Sequence, residues 1–240
     1  MKNYLKTQQN QLGQSIGCSL ENNAPCQAIK GNIEGQYVTL TEIDGEISDL
    51  AADQIWASVS TEPNGGCWTY LPYSAPSSQA KLKQDLQNLF GFQDSTHFLL
   101  DIGGEIKGWI ALLNPRLVHG VIEIGNVYFS HRMKQSKAAT ETIFLLLQKC
   151  FKNGFRRVEW KCDDCNEPSK TAALRFGFHY EGLFRQDRII KGRNRNTAWF
   201  SMIDEEWNAL ESAYHQWLNP ENFDENGSQL NKLSDFSGIE

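Results

Sequence analysis

Apolar and polar positions along the chain follow two periods, one typical of helices and one typical of strands. The clearest helix is residues 136–151, where Ile143, Leu146, Leu147, Cys150 and Phe151 form one apolar stripe. The same spacing predicts further helices at 46–59, 80–90, 168–176 and 204–218. Alternation and short apolar runs predict strands at 36–43, 96–102, 105–113, 121–129, 155–162, 178–185 and 197–203. The last two are predicted to flank a basic turn, KGRNRN, at 191–196.

The order of these elements, β-α-α-β-β-β-α-β-α-β-β-α, predicts an α/β (α+β) fold. Strand–helix–strand units in the second half require crossovers and therefore some parallel pairing, whereas Gly103-Gly104 predicts a tight antiparallel hairpin. A single mixed sheet with helices on both faces satisfies both demands. Gly125-Asn126 interrupts the strand at 121–129, which predicts a bulge or a close backbone approach.

The two ends of the chain differ from the part between them. Residues 1–33 are polar and weakly periodic, so we expect an N-terminal extension that packs on a domain at 34–218. Asn219-Pro220 closes the last helix, and the segment 219–240 lacks helical or strand period. It is predicted to be a mobile tail.

Composition excludes several classes of protein. Twenty-three basic against 29 acidic residues give a net charge of −6, which argues against a nucleic-acid binder. The longest apolar run, 143–147, is too short to cross a membrane, and no stretch resembles a signal peptide, so a cytoplasmic protein is predicted. Its cysteines are then reduced thiols, and Cys162-x-x-Cys165 lacks the second ligand pair of a metal site.

Two segments that lead into helices are candidate ligand sites. The first precedes the clearest helix, where small residues and helix-start amides suit a pyrophosphate, although an ordinary start capped by Ser136 remains the alternative. The second is Asn166, which either caps the next helix or faces a ligand across the strand ends. The residues of the first segment are Lys134, Gln135, Ser136, Lys137, Ala138, Ala139 and Thr140.

Aromatic residues cluster in the segment after Gly65-Gly66. Trp68, Tyr70 and Tyr73 are predicted to line a groove for an acceptor substrate, or to pack a core.

The stretches GVIEIGNVYFS (120–130), KQSKAATETIFLLLQKCF (134–151), RRVEWKCDDCNEPSKTAALRFGFHYEGLFRQ (156–186) and KGRNRNTAWFSMIDEEW (191–207) resemble the Gcn5-related N-acetyltransferase (GNAT) superfamily. Within it they resemble the RimJ/RimL-type ribosomal-protein N-acetyltransferases. LGQSIG, GQYVTLTEI and WTYLPY extend this resemblance upstream. The resemblance implies acetyl-CoA as acetyl donor and a mostly antiparallel sheet whose central strands, 121–129 and 155–162, splay around the pantetheine arm.

The resemblance also implies particular cofactor contacts. The superfamily loop before the long helix carries Gln or Arg, two residues, Gly, one residue and Gly or Ala, which maps to Lys134, Lys137 and Ala139; the ammonium of Lys137 would add a contact to phosphate. Asn166 matches an asparagine that contacts the cofactor. Ala173 stands where many relatives have a tyrosine general acid, so Ser169 is the substitute candidate.

The chemistry needs a donor for the thioester oxygen and a base for the amine. Backbone amides at the strand interruption, Asn126, Val127 and Tyr128, suit the first role. Glu123 is the candidate base, acting through water, or is a structural carboxylate.

The acceptor is expected to be a protein N-terminal α-amine or a small amine, because an α-amine near pKa 8 is partly neutral at pH 7. The alternative function is a non-catalytic acyl-CoA sensor. A homodimer is expected if the apolar stripe of the last helix does not pack on its own domain; that stripe consists of Trp207, Leu210, Tyr214, Trp217 and Leu218.

Overall fold

A large β-sheet forms the centre of the computed structural model, which describes residues 6–20, 25–90 and 95–238. Its strands, and a separate two-stranded hairpin that precedes them, have clear bounds. The strands are β1 (Thr7–Gln9), β2 (Ser15–Gly17), β3 (Ile33–Glu34), β4 (Thr39–Glu42), β5 (Thr96–Ile102), β6 (Glu105–Arg116), β7 (Val121–Phe129), β8 (Arg157–Asp163), β9 (His179–Ile190) and β10 (Arg193–Ile203).

Helix boundaries follow local capping chemistry. The longest helix begins after Ser136, whose hydroxyl accepts a hydrogen bond from the Ala139 amide at 3.1 Å, and it ends with Lys149 and Lys152 in its last turn. The helices are α1 (Asp49–Val59), α2 (Gln79–Phe90), α3 (Lys137–Lys152), α4 (Glu167–Arg175), α5 (Asp204–Leu218) and α6 (Leu233–Ser237). Single turns of 3-10 helix occupy Gly65–Trp68, Leu117–His119 and Pro220–Asn222.

The eight strands of the main sheet lie in the order β3-β4-β5-β6-β7-β8-β10-β9. Only β7 and β8 run parallel among them; every other neighbouring pair is antiparallel. The parallel pair is the one that α3 connects, as a crossover requires. The predicted mixed, mostly antiparallel sheet is therefore confirmed.

Successive residues of the central strands belong to two different cores, one on each face of the sheet. Leu100 and Ile110 pack with α3 and α5, whereas Leu99 and Trp109 pack with α1 and α2. Helices therefore cover both faces, as predicted.

The apolar stripe of α5 is buried within its own chain, where Phe144 of α3 stacks on Tyr214 with ring centroids 5.4 Å apart. It offers no surface to a second copy. The apolar stripe of α5 therefore gives no support to a homodimer, which stays a prediction.

The last hairpin of the sheet is longer than the sequence predicts. The stretch 191–196 is predicted to be a basic turn, but the turn is Lys191-Gly192 alone, with φ of 51° and 71°, and Arg193 already belongs to β10. The prediction was wrong because β9 is an edge strand with both faces largely exposed, so charged residues hide its period.

The C-terminal segment also differs from its prediction. It contains α6, and Leu233 on that helix is buried with 2% exposure. A five-residue helix is too short to show a period, which is why the sequence did not predict it. The mobility of this segment and the domain boundaries at residues 33 and 218 stay predictions, although Ile29 of the N-terminal extension is buried in the core. No helix in the described ranges is long and apolar enough to span a bilayer.

Candidate active site

Strands β7 and β8 part in the middle of the sheet. They pair in parallel from Val121–Arg157 to Ile124–Trp160, and beyond that point each strand pairs only with its other neighbour. Beyond this point the facing edges of β7 and β8 are not hydrogen-bonded to each other, and a gap separates them. The splayed strands predicted from the resemblance are confirmed.

A bulge in β7 lies at the start of this gap. The register with β6 advances two residues on β6 but three on β7, and Asn126 has φ of 48°. A Cβ on the preceding Gly125 would lie 2.8 Å from Cδ1 of Leu113, so a larger residue there would displace that side chain of β6. The predicted interruption of this strand is confirmed as a bulge.

The gap opens into a cavity of about 720 Å³. Its walls come from both parted strands, the start of α4, the segment between α1 and α2, and the β9–β10 hairpin. Among the lining residues are Glu123–Phe129, Trp160–Asp163, Asn166, Ser169, Lys134, Cys67, Tyr70, Arg188 and Arg195.

Two polar bridges hold the walls of the cavity together. The hydroxyl of Tyr70 donates to the carbonyl of Cys165 at 2.8 Å, and the ammonium of Lys191 donates to the carbonyl of Trp68 at 2.6 Å. The segment between α1 and α2 is thus tied to the β8–α4 loop at one point and to the hairpin tip at another.

The three aromatic candidates for the acceptor groove have different places. Tyr70 lines the cavity, and its role there stays a prediction. Trp68 is only 5% exposed and stacks on Tyr128 at 5.3 Å between centroids, so it belongs to the core beneath the groove. Tyr73 also lies behind the cavity wall, where it contacts Asn126.

Asn126 is held by a short chain of hydrogen bonds. Nε1 of Trp109 donates to the Tyr73 hydroxyl at 3.1 Å, and that hydroxyl donates to Oδ1 of Asn126 at 3.0 Å. Burial raises the pKa of Tyr73, so its proton stays in this chain. The remaining amide group, Nδ2 of Asn126, is buried and has no partner among the described residues. An unpaired donor therefore lies in the cavity wall at the bulge.

Glu123 is anchored through one oxygen only. Its Oε2 accepts from Nδ2 of Asn114 at 2.7 Å and from Nζ of Lys161 at 2.8 Å. Its Oε1 is directed at the bulge, 3.4 Å from where a Cβ on Gly125 would lie, and accepts no hydrogen bond from the part of the chain that the structure describes. This arrangement fixes the carboxylate and leaves one oxygen available.

The start of α3 presents free backbone amides. Gln135 has φ of 61°, and the amides of Gln135, Lys137 and Ala138 donate to no group in the described segments. Thr140 differs, because its amide and hydroxyl both donate to the Ser136 carbonyl and its hydroxyl also accepts from Arg175. These groups are thus bonded within the chain, and the predicted contact of Thr140 with the cofactor stays a prediction.

The side chain of Lys137 does not extend along the loop. Its ammonium lies 3.9 Å from the centre of the Phe223 ring and 5.5 Å from that of Tyr37. The predicted contact of this ammonium with phosphate would require it to leave both rings, whereas the side chain of Lys134 already lines the cavity.

Asn166 and Ser169 stabilise the start of α4 at the cavity wall. Oδ1 of Asn166 accepts from the Ser169 amide at 3.2 Å, and Oγ of Ser169 accepts from Nε1 of Trp160 at 3.1 Å. Asn166 thus caps α4 and also lines the cavity, and its contact with the cofactor stays a prediction. Ala173, at the position where many relatives have a tyrosine general acid, is fully buried in the core.

The Cys-x-x-Cys pair has two unlike environments. Cys162 is buried, which raises the pKa of its thiol, while Cys165 is exposed. No group of three or more potential metal ligands occurs within residues 6–20, 25–90 and 95–238.

Lys161 and Arg188 line the cavity and were not predicted as site residues, and Arg195 was predicted only as part of a basic turn. The sequence did contain a signal for Lys161. Strand β8 reads RVEWKCD, and its charged residues alternate with apolar ones, which predicts one charged face of the strand. Arg188 carried no such signal, since it lies between the predicted strand 178–185 and the predicted turn 191–196, and Arg195 lies within that turn.

Comparisons with known proteins agree with this geometry. The family model for acetyltransferases of the GNAT family matches residues 65–178. The solved structure of a GCN5-related N-acetyltransferase from Brucella melitensis is 38% identical, with a TM-score of 0.87 over 92% of this chain and all of that one. The chain belongs to the GNAT family.

Other GNAT structures are more distant. An acetyltransferase of the family from Chromobacterium violaceum is 31% identical, with a TM-score of 0.73 over 81% of this chain and 97% of its own. A protein described as a ribosomal-protein-serine acetyltransferase from Vibrio cholerae is 21% identical, with a TM-score of 0.60 over 72% of this chain and 97% of its own, and shares the fold alone. No curated protein sequence matches significantly. GNAT family members use acetyl-CoA.

Proposed function

We propose that this GNAT protein transfers the acetyl group of acetyl-CoA directly to an amine. The observation that carries the proposal is the parting of β7 and β8 beyond Ile124 and Trp160, which leaves two strand edges free on either side of a cavity of about 720 Å³. Free strand edges pair with the amide groups of an extended ligand such as a pantetheine arm.

The residues present fit this donor. The free amides of Gln135, Lys137 and Ala138 at the start of α3 suit a pyrophosphate, because a helix start attracts anions. Lys134 adds a positive charge from the cavity wall. When bound, acetyl-CoA supplies an activated thioester carbonyl. Asn166, Ser169 and the edge from Asn126 to Tyr128 would enclose its reactive end.

Asn126 is proposed to stabilise the negative charge that develops on the thioester oxygen. Its Nδ2 is buried and unpaired, while Tyr73 fixes its Oδ1, so the donor needs no reorientation. Amides of Val127 and Tyr128 on the free edge act beside it. Loss of one such preorganised donor lowers kcat by about 10²–10³-fold in well-studied enzymes.

Glu123 is proposed to accept the proton of the attacking amine through its Oε1, directly or through water. Lys161 and Asn114 hold the other oxygen and keep the carboxylate in place. Ser169 is proposed to assist the departing thiolate, which needs little protonation because thiols of this kind have pKa near 8.5.

The acceptor is proposed to be the α-amine of a protein N-terminus, as in RimJ/RimL-type enzymes, or a small amine. An α-amine with pKa near 8 is about one-tenth neutral at pH 7, so a modest base such as Glu123 suffices. The distant Vibrio cholerae relative is named for a ribosomal-protein serine, and its likeness in fold does not choose between these acceptors.

The test is release of free thiol from acetyl-CoA with a panel of N-terminal peptides and small amines. Wild-type protein is expected to turn over at least one class, and Asn126→Ala to lose about 10²-fold in kcat. Asn194→Ala, an exposed asparagine on β10, is the matched control and should keep full activity. Binding of acetyl-CoA without thiol release from any acceptor would favour the acyl-CoA sensor instead.

A further inference from the structure

Two arginines face each other on the β9–β10 hairpin. Arg188 and Arg195 are direct partners across the two strands, and both side chains line the cavity. The Lys191 bridge to the Trp68 carbonyl holds the tip of this hairpin against the opposite wall, so the pair has a fixed place.

The surrounding groups satisfy this pair only in part. Nε of Arg195 donates to Oγ1 of Thr197 at 3.1 Å, Nε of Arg188 donates to Oδ2 of Asp187 at 3.3 Å, and that same oxygen also accepts from Thr197 at 2.7 Å. Asp163 is a further carboxylate close to Arg195. The Nη groups of both arginines donate no hydrogen bond within the described part of the chain.

Like charges placed opposite each other on paired strands are unfavourable. Burial, and then the nearby charge of Arg188, lower the pKa of Arg195, which reflects this conflict. An anion between the two guanidinium groups would relieve it. A planar fork of N–H groups is best matched by a carboxylate, which accepts two parallel hydrogen bonds.

We propose that the amine acceptor carries a carboxylate, which Arg188 and Arg195 bind while the amine faces Glu123. This deepens the proposed function and rests on it. The whole chain is acidic, with a net charge of −6, so the pair is a local attraction for an acidic acceptor that the protein as a whole repels.

The experiment compares acceptors that differ only in charge. Two C-terminally amidated peptides of equal length begin with serine followed by two glutamates or by two glutamines. The α-amides of glutamate and glutamine form a second arm that separates a peptide source from an amino-acid source, and in each pair only the glutamate member carries a carboxylate. Each is tested with full-length wild type, Arg188→Gln and Arg195→Gln. Arg193→Gln is the matched control, because Arg193 is an exposed arginine of the same hairpin and does not line the cavity.

Wild type is expected to use the acidic member of a pair at least ~10-fold better in kcat/KM, and Arg195→Gln to lose that preference by raising KM for the acidic acceptor alone. Arg193→Gln should keep it. Equal use of acidic and neutral acceptors, or a raised KM for acetyl-CoA in Arg195→Gln, would overturn the inference and leave the proposed function standing. Absence of turnover with every acceptor, while acetyl-CoA binds, would overturn both.

Discussion

The ammonium of Lys161 lies 2.8 Å from Oε2 of Glu123 on the neighbouring strand, at the point where β7 and β8 separate. It also lies 3.2 Å from Oε2 of Glu159, which is the direct partner of Glu123 in the parallel pair. Two carboxylates opposite each other would repel, and Lys161 compensates both. The last paired stretch before the cavity is therefore held by a buried cation.

Replacement of Lys161 by methionine should strongly destabilise the protein. The side chains of Lys161 and Glu123 are 9% and 10% exposed, so the change would leave the buried Glu123 carboxylate without its cation, whereas Glu159 would keep Arg116 and Arg157. Breaking a buried ion pair from one side costs about 3–5 kcal/mol. Urea unfolding would measure the loss. Lys6→Met, at an exposed ion pair with Glu205, is the control and should change little; equal losses in both variants would refute the compensating role.

Asn166→Ala should raise KM for acetyl-CoA about 10-fold, whereas Cys165→Ala should not. Asn166 lines the cavity, while Cys165 is exposed and does not line it. Because alanine also removes the cap of α4, at a cost of about 1 kcal/mol, Asn166→Asp is the companion variant that keeps the cap. Steady-state kinetics would decide, and equal KM values for the Asn166 and Cys165 variants would contradict this placement.

Stability should fall on acidification through the carboxylates beside Arg157. Hydrogen bonds from Arg157 hold the pKa of Glu181 below its ordinary value of 4.5. The unfolded chain then takes up the proton first, so the stabilisation is complete above pH 4.5 and is lost as pH falls through the lower pKa of the folded state. Unfolding followed between pH 6 and pH 3 should show a shallower decline for Glu181→Gln than for wild type. Glu205→Gln, at an exposed site, should follow wild type, and a wild-type slope for Glu181→Gln would exclude the effect.

Leu233→Ala should destabilise the protein by about 2–5 kcal/mol, because the side chain is 2% exposed in the main core. Leu230→Ala, only three residues earlier but 62% exposed, should have little effect. Thermal unfolding of the two variants would test whether the C-terminal segment contributes to the folded core. Identical melting temperatures for both variants and wild type would instead agree with the mobile tail predicted from the sequence.

Most of the architecture could be predicted because it depends on periodicity. Central strands such as β5 and β7 and the helix α3 bury one face or both, so their apolar spacing is visible in the chain. The interruption of β7 could be predicted as well, because a glycine inside a strand often marks a bulge or a close backbone approach, and the structure shows which of the two occurs. The edge strand β9 and the short helix α6 could not, since neither has a regular buried face of sufficient length.

The sequence by itself determined the order of the main elements, because that order depends on local spacing. It also carried the family resemblance, which implied the gap between the central strands. Only the tertiary structure decided which polar groups meet at the gap. Lys161 with Glu123, Tyr73 with Asn126, and Arg188 with Arg195 are separated in the chain by between 7 and 53 positions. Their contacts arise from strand register and loop closure, and no local pattern encodes the partner of a charge.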